Sequence, residues 1–114
     1  MRMILSRARA FLFPTLAEAN GIVVQEAMMI GLPVVAVNWG GPAALLDADT
    51  GILIEPVGEN HVILELAAAM IKLGSDAAEA DGLSANARTA AEKAGFAWAD
   101  LLSEWVKQYR TIVR

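Results

Sequence analysis

Residues 34–37, Val-Val-Ala-Val, are uniformly apolar and lie between Gly31 and Pro33 on one side and Gly40 and Gly41 on the other. A strand with no polar face is covered on both faces, so this run argues for a parallel sheet with helices packed above and below it. The preceding residues, 21–30, read as a short apolar helix with Asn20 as its N-cap and Gly31 as its terminator. Helix, buried strand and glycine loop follow in that order, which puts the loop at the C-terminal edge of a sheet, where α/β proteins hold ligands. Two carboxylates, Glu18 and Glu26, stand eight residues apart across the helix start. Glu18 falls in the loop and Glu26 about one and a half turns inside the helix, so both can face a ligand held at the helix N-terminus.

The same alternation extends to either side. Residues 3–7 read as the tail of a helix, 10–13 as a strand ending at Pro14, 42–46 as a short helix opened by Pro42, 47–51 as a turn and 52–54 as a third strand. Short right-handed crossovers make the three strands parallel neighbours, with residues 34–37 in the middle. Beyond about residue 60 only helices are expected. Residues 61–73 carry Val62, Leu66, Ala69, Met70 and Leu73 on one stripe and stop at Gly74, and residues 83–94 are closed by Gly95. A last helix runs from Trp98 to Arg114, where Leu101, Leu102, Trp105, Tyr109 and Ile112 make a broad apolar face expected to dock on the core. The fold class is α/β: about three parallel strands with flanking helices and an all-helical C-terminal segment. Residues 1–114 form one domain, with an α/β part over about 1–60 and a helical part over about 61–114.

With 114 residues there is room for a single core. Apolar residues make up 56% without counting glycine, above the about 45–50% that is usual with glycine included. Alanine-rich helices explain part of the excess, and the rest suggests surface to be covered by something outside the chain. A net charge of −4 speaks against nucleic acid and anionic membranes as partners. The absence of cysteine excludes a disulfide scaffold and thiolate metal sites, and fits a reducing, cytoplasmic setting. Residues 17–19, Ala-Glu-Ala, imitate a signal-peptidase site, but Arg7 and Arg9 interrupt any apolar leader and Pro14 sits inside the patch that follows. Scattered aspartates and the one histidine, His61, have no metal-ligand spacing, so no metal site is expected. His61 itself reads as a surface residue at a helix start.

Taken in order, Glu18, Gly21, Glu26-Ala27-Met28, Gly31-Leu32-Pro33-Val34-Val35 and Gly40-Gly41-Pro42 resemble the donor-site signature of retaining glycosyltransferases of the GT-B fold (group 1, family 4-like), built from two Rossmann-like domains. The resemblance continues through residues 50–54, Ala87-Arg88 and Phe96-Ala97-Trp98 to Tyr109. It covers nearly the whole chain and corresponds to the second half of the C-terminal, donor-binding domain. The resemblance implies a nucleotide-sugar donor as substrate, with no separate cofactor. It assigns Glu18 to the transferred sugar, as the catalytic carboxylate that orients hydroxyls or stabilises charge at the anomeric carbon, and Glu26 to the ribose diol. The N–H groups of Gly21, Ile22 and Val23 are placed on the diphosphate, where a helix start stabilises negative charge, and Gly40 and Gly41 in the donor loop.

The chain also departs from that pattern. Ala44 stands where family members often carry a glutamate, two residues after Pro42. The Arg/Lys pair that clamps the diphosphate belongs upstream of Met1, as does the acceptor-binding N-terminal domain. The resemblance therefore implies a fragment, or one piece of a split enzyme, inactive alone and completed by that domain or by a partner chain. Its last helix is expected to cross toward that domain, and the full enzyme to work in the cytoplasm or at the membrane periphery. The outer edge of the first strand is expected to promote self-association. Each site residue also has a plainer reading. Glu18 suits any pre-helix turn because of the helix dipole, Gly40 and Gly41 suit any tight turn, and a buried Glu26 could satisfy itself with a structural hydrogen bond. A non-catalytic nucleotide-binding or assembly module, and a purely structural partner protein, are the alternatives these readings leave open.

Overall fold

In the computed structural model, which describes residues 2–113, three strands form one parallel sheet in sequence order. They are β1 (Phe11–Phe13), β2 (Val34–Val37) and β3 (Gly51–Ile54), with Phe11 opposite Val34 and Val34 opposite Gly51. The expected adjacency and direction of the strands hold, and β2 is central. Before β1 lies α1 (Arg2–Leu5); α2 (Ile22–Met29) and α3 (Gly40–Leu45) lie between strands; α4 (Glu59–Ser75), α5 (Ala77–Ala94) and α6 (Trp98–Ile112) follow. Met1 and Arg114 lie outside the described residues.

All four residues of β2 are buried because alternate side chains feed opposite layers. Val34 and Ala36 pack with Val24, Ala27 and Met28 of α2 and with Ala87 and Ala91 of α5. Val35 joins Ile54 of β3, Ala69 and Leu73 of α4, and Ala80 and Leu83 of α5 on the other side. One helix, α5, thus serves both layers. Its alanines permit close approach, and Ser84 Oγ donates a hydrogen bond to the Gly31 carbonyl at the N-terminal edge of β2.

Several sequence expectations are corrected here. Helix α5 starts at Ala77, six residues before Leu83, because Asp76 caps it by accepting from the Glu79 N–H at 3.0 Å. A 2.7 Å ion pair between Lys72 and Glu79 spans the same corner. Gly74 does not stop α4, which continues to Ser75, and Met70 is exposed although Ala69 and Leu73 are buried. Helix α6 has no buried residue, so the expected docking of its apolar face on the core does not occur. Only Leu101 is half-buried; Trp98 is exposed at the rim of an open cleft facing α2, and Trp105, Tyr109 and Ile112 lie open because no element of the described residues packs against them.

Candidate functional site

The C-terminal ends of the strands carry the site. After β1 the chain loops through residues 14–21 into α2, and after β2 it turns at Gly40 into α3. Asn20 does not cap α2. Gly21 stands at the N-cap in the left-handed conformation, at φ 65°, with no side-chain cap of its own. Glu18 organises this entry instead, since its Oε1 accepts from the N–H of Asn20 at 3.1 Å and of Gly21 at 2.8 Å.

That contact decides which backbone donors remain. The Gly21 N–H, expected to be free for a phosphate, is committed to Glu18. Val24 and Gln25 both donate to the Gly21 carbonyl at 3.0 Å. Ile22 and Val23 are left as the donors at the start of α2 without an acceptor among the described residues.

Glu26 is exposed, not buried as its apolar neighbours suggested. The buried residues of α2 are Val24, Ala27 and Met28, and Glu26 falls on the opposite face with Ile22, Gln25 and Met29. That face borders an open cleft of about 580 Å³, whose far wall is Phe96, Trp98 and Leu101. An exposed Glu26 is solvated and needs no structural partner. Its position is the second turn of a helix with two free N–H groups.

Gly40 and Gly41 sit against the entry loop. Helix α3 begins at Gly40, two residues before the expected Pro42, and the Gly41 N–H donates to the Glu18 carbonyl at 2.9 Å. At Gly41 an added Cβ would lie 2.7 Å from the Ala19 carbonyl oxygen and 2.8 Å from the Gly21 nitrogen, so backbone meets backbone here without room for a side chain. Glu18, Gly21, Ile22, Val23, Gly40 and Gly41 are thus brought together, with Glu26 on the adjoining helix.

Sequence reasoning missed Asn38 and Glu55. The Asn38 side-chain amide donates to Glu55 Oε1 at 2.5 Å, and its N–H donates to the Ile54 carbonyl at 2.7 Å, tying the ends of β2 and β3 at the ligand edge. Their place directly after apolar strands was the available signal. Trp39, exposed beside them, caps α3 through its backbone alone. His61 lies in the first turn of α4, outside this cluster, and Arg88 lies near Gly31 at the opposite edge of the sheet. No group of three or more histidine or acidic side chains among the described residues is placed to hold a metal ion. No helix among them is long and apolar enough to cross a membrane.

A parallel sheet whose C-terminal edge carries a glycine junction and a pre-helix glutamate belongs to the Rossmann-like class of α/β domains, which hold ligands at that edge. The chain belongs to the family of glycosyl transferases group 1, whose model matches residues 1–76. Sucrose synthase 5 of Oryza sativa subsp. japonica is 39% identical over 67 residues, covering 58% of this chain and 8% of that protein. The D-inositol 3-phosphate glycosyltransferase of Rhodococcus opacus (strain B4) is 33% identical over 98 residues, covering 85% of this chain and 21% of that protein. Among solved structures, that of Anabaena Alr3699/HepE in complex with UDP-glucose superposes with a TM-score of 0.69 at 29% identity, over 79% of this chain and 24% of that one. The chain therefore spans less than a quarter of each of these relatives, and its GT-B resemblance holds in sequence and in fold.

Proposed function

We propose that the chain forms the donor-binding half of a retaining, metal-independent glycosyltransferase that moves a sugar from a nucleotide-sugar to an acceptor. The observation that carries this reading is the start of α2, where the unpartnered N–H groups of Ile22 and Val23 lie one turn from an exposed Glu26. Two N–H groups at a helix start suit a diphosphate and stabilise the charge that grows on it as the sugar leaves. Glu26 accepts from the ribose hydroxyls, and Glu18 lies near the transferred sugar through the carboxylate oxygen its loop leaves unused. Gly21 and Gly40, where an added Cβ would meet Leu45 and the Glu18 carbonyl, let the starts of α2 and α3 pack together beneath the donor.

An acceptor-binding domain, in the same polypeptide or on a partner chain, completes the enzyme, and the 114 residues alone bind donor without transferring sugar. Calorimetric titration with UDP and with UDP-glucose tests this. Weak binding of both is expected, with Glu18→Gln reducing the affinity for UDP-glucose and leaving that for UDP within about twofold. A chain that binds neither ligand does not form the site.

The outer edge of β1 supports a second part of the proposal. Its outward N–H and C=O groups pair with no other strand among the described residues, and Leu12 is exposed on the sheet face opposite the stacked rings of Phe11 and Phe13. Such an edge recruits another strand, so the isolated chain should self-associate through β1. Light scattering should show mass rising with concentration, and Leu12→Lys should abolish the rise. A concentration-independent monomer would count against it.

A further inference from the structure

The glycines of the chain differ in the room around them. At Gly58, Gly74 and Gly82 an added methyl group would meet nothing within 4 Å, so those glycines occupy open space. At Gly41, which is buried, it would meet the Ala19 oxygen and the Asn20 carbonyl carbon at 2.7 Å and the Gly21 nitrogen at 2.8 Å, all of them backbone atoms that cannot rotate away. Gly40, at φ +58°, is closed in the same way by the Glu18 carbonyl. From the other side, the Glu18 carboxylate is held by the N–H groups of Asn20 and Gly21 in this same loop. Residues 18–21 are therefore gripped twice, by the Glu18 side chain within the loop and by the α3 start beneath it.

We propose that Gly41 is a positioning residue for Glu18, fixing through the backbone of residues 18–21 where that carboxylate stands relative to the donor sugar. The role rests on the donor-site reading above. Gly41 binds no ligand itself in this assignment; it sets the height of the loop that carries Glu18. Glu26 does not depend on it to the same degree, because Val24, Ala27 and Met28 anchor α2 independently in the core. A side chain at position 41 lifts the loop by a few tenths of an ångström or more, which misplaces Glu18 while the nucleotide contacts persist. A hydrogen bond to a charged group that is lost by misplacement is worth about tenfold in affinity.

The test is a double-mutant cycle in the full chain. Gly41→Ala should lower UDP-glucose affinity about tenfold and UDP affinity about twofold or less, and adding Glu18→Gln should cost nothing more. Equal losses for the two ligands, or independent effects of the two substitutions, would show a merely structural glycine and overturn the proposal. Amide resonances without ligand give a second reading. In Gly41→Ala those of Asn20 and Gly21 should move as they do in Glu18→Gln; unmoved resonances overturn the positioning. If Gly41→Ala does not fold, the reciprocal shift decides, since the Gly41 amide must respond to Glu18→Gln, and its indifference overturns the coupling. Failure of the unsubstituted chain to bind either ligand overturns the donor-site reading and the sugar-recognition role with it, while the ligand-free resonances still report whether Gly41 positions Glu18.

Discussion

Glu26→Gln is expected to weaken UDP binding by about tenfold while leaving the fold intact. A charge-assisted hydrogen bond contributes about 1.5–3 kcal/mol, and about 1.4 kcal/mol corresponds to a factor of ten. The exposure of Glu26 places the loss near the lower end of that range, because water competes for the same hydroxyls. Stability should not change, since the side chain makes no hydrogen bond or ion pair within the described residues. Calorimetry would settle the roles of the two glutamates: UDP affinity should fall in Glu26→Gln and hold in Glu18→Gln. The opposite pattern, or equal losses, would mean that the ribose lies elsewhere than the α2 face bordering the cleft.

Met28→Ala is expected to destabilise the fold by about 2–5 kcal/mol, the range for emptying a large buried side chain when neighbours cannot collapse into the space. Met28 is 1% exposed and packs between β2 and α5. Total stability for a domain is about 5–15 kcal/mol, so this one change removes a large share of it. Met70→Ala makes the control. Met70 was placed on the buried stripe by periodicity but is 55% exposed, and its truncation should cost no more than about 0.5 kcal/mol. Urea unfolding at matched slope compares the two. Similar midpoints would mean that the burial assigned to α2 and α4 is wrong.

What the residues determined unaided was the order of the sheet and the location of its ligand edge. A four-residue apolar run between glycine and proline admits little besides a central parallel strand, and short crossovers admit little besides neighbouring strands. The family signature was equally legible, because Glu18, Glu26, Gly40 and Gly41 are spaced by local geometry: one loop, one helix turn, one strand end. Local chemistry also misled in places. An apolar helix sequence made Glu26 look buried, and the glycine at 82 together with small residues hid the first turns of α5, whose Asp76 cap was the overlooked signal.

Only the tertiary structure decided which groups compete for the same partners. Whether the Gly21 N–H was free for a phosphate depended on where the Glu18 carboxylate lay, and that depends on a loop resting on Gly41 from a different part of the chain. Periodicity likewise gave α6 an apolar face without saying whether anything stood opposite it. Burial is a property of two surfaces, and a helix encodes only one of them.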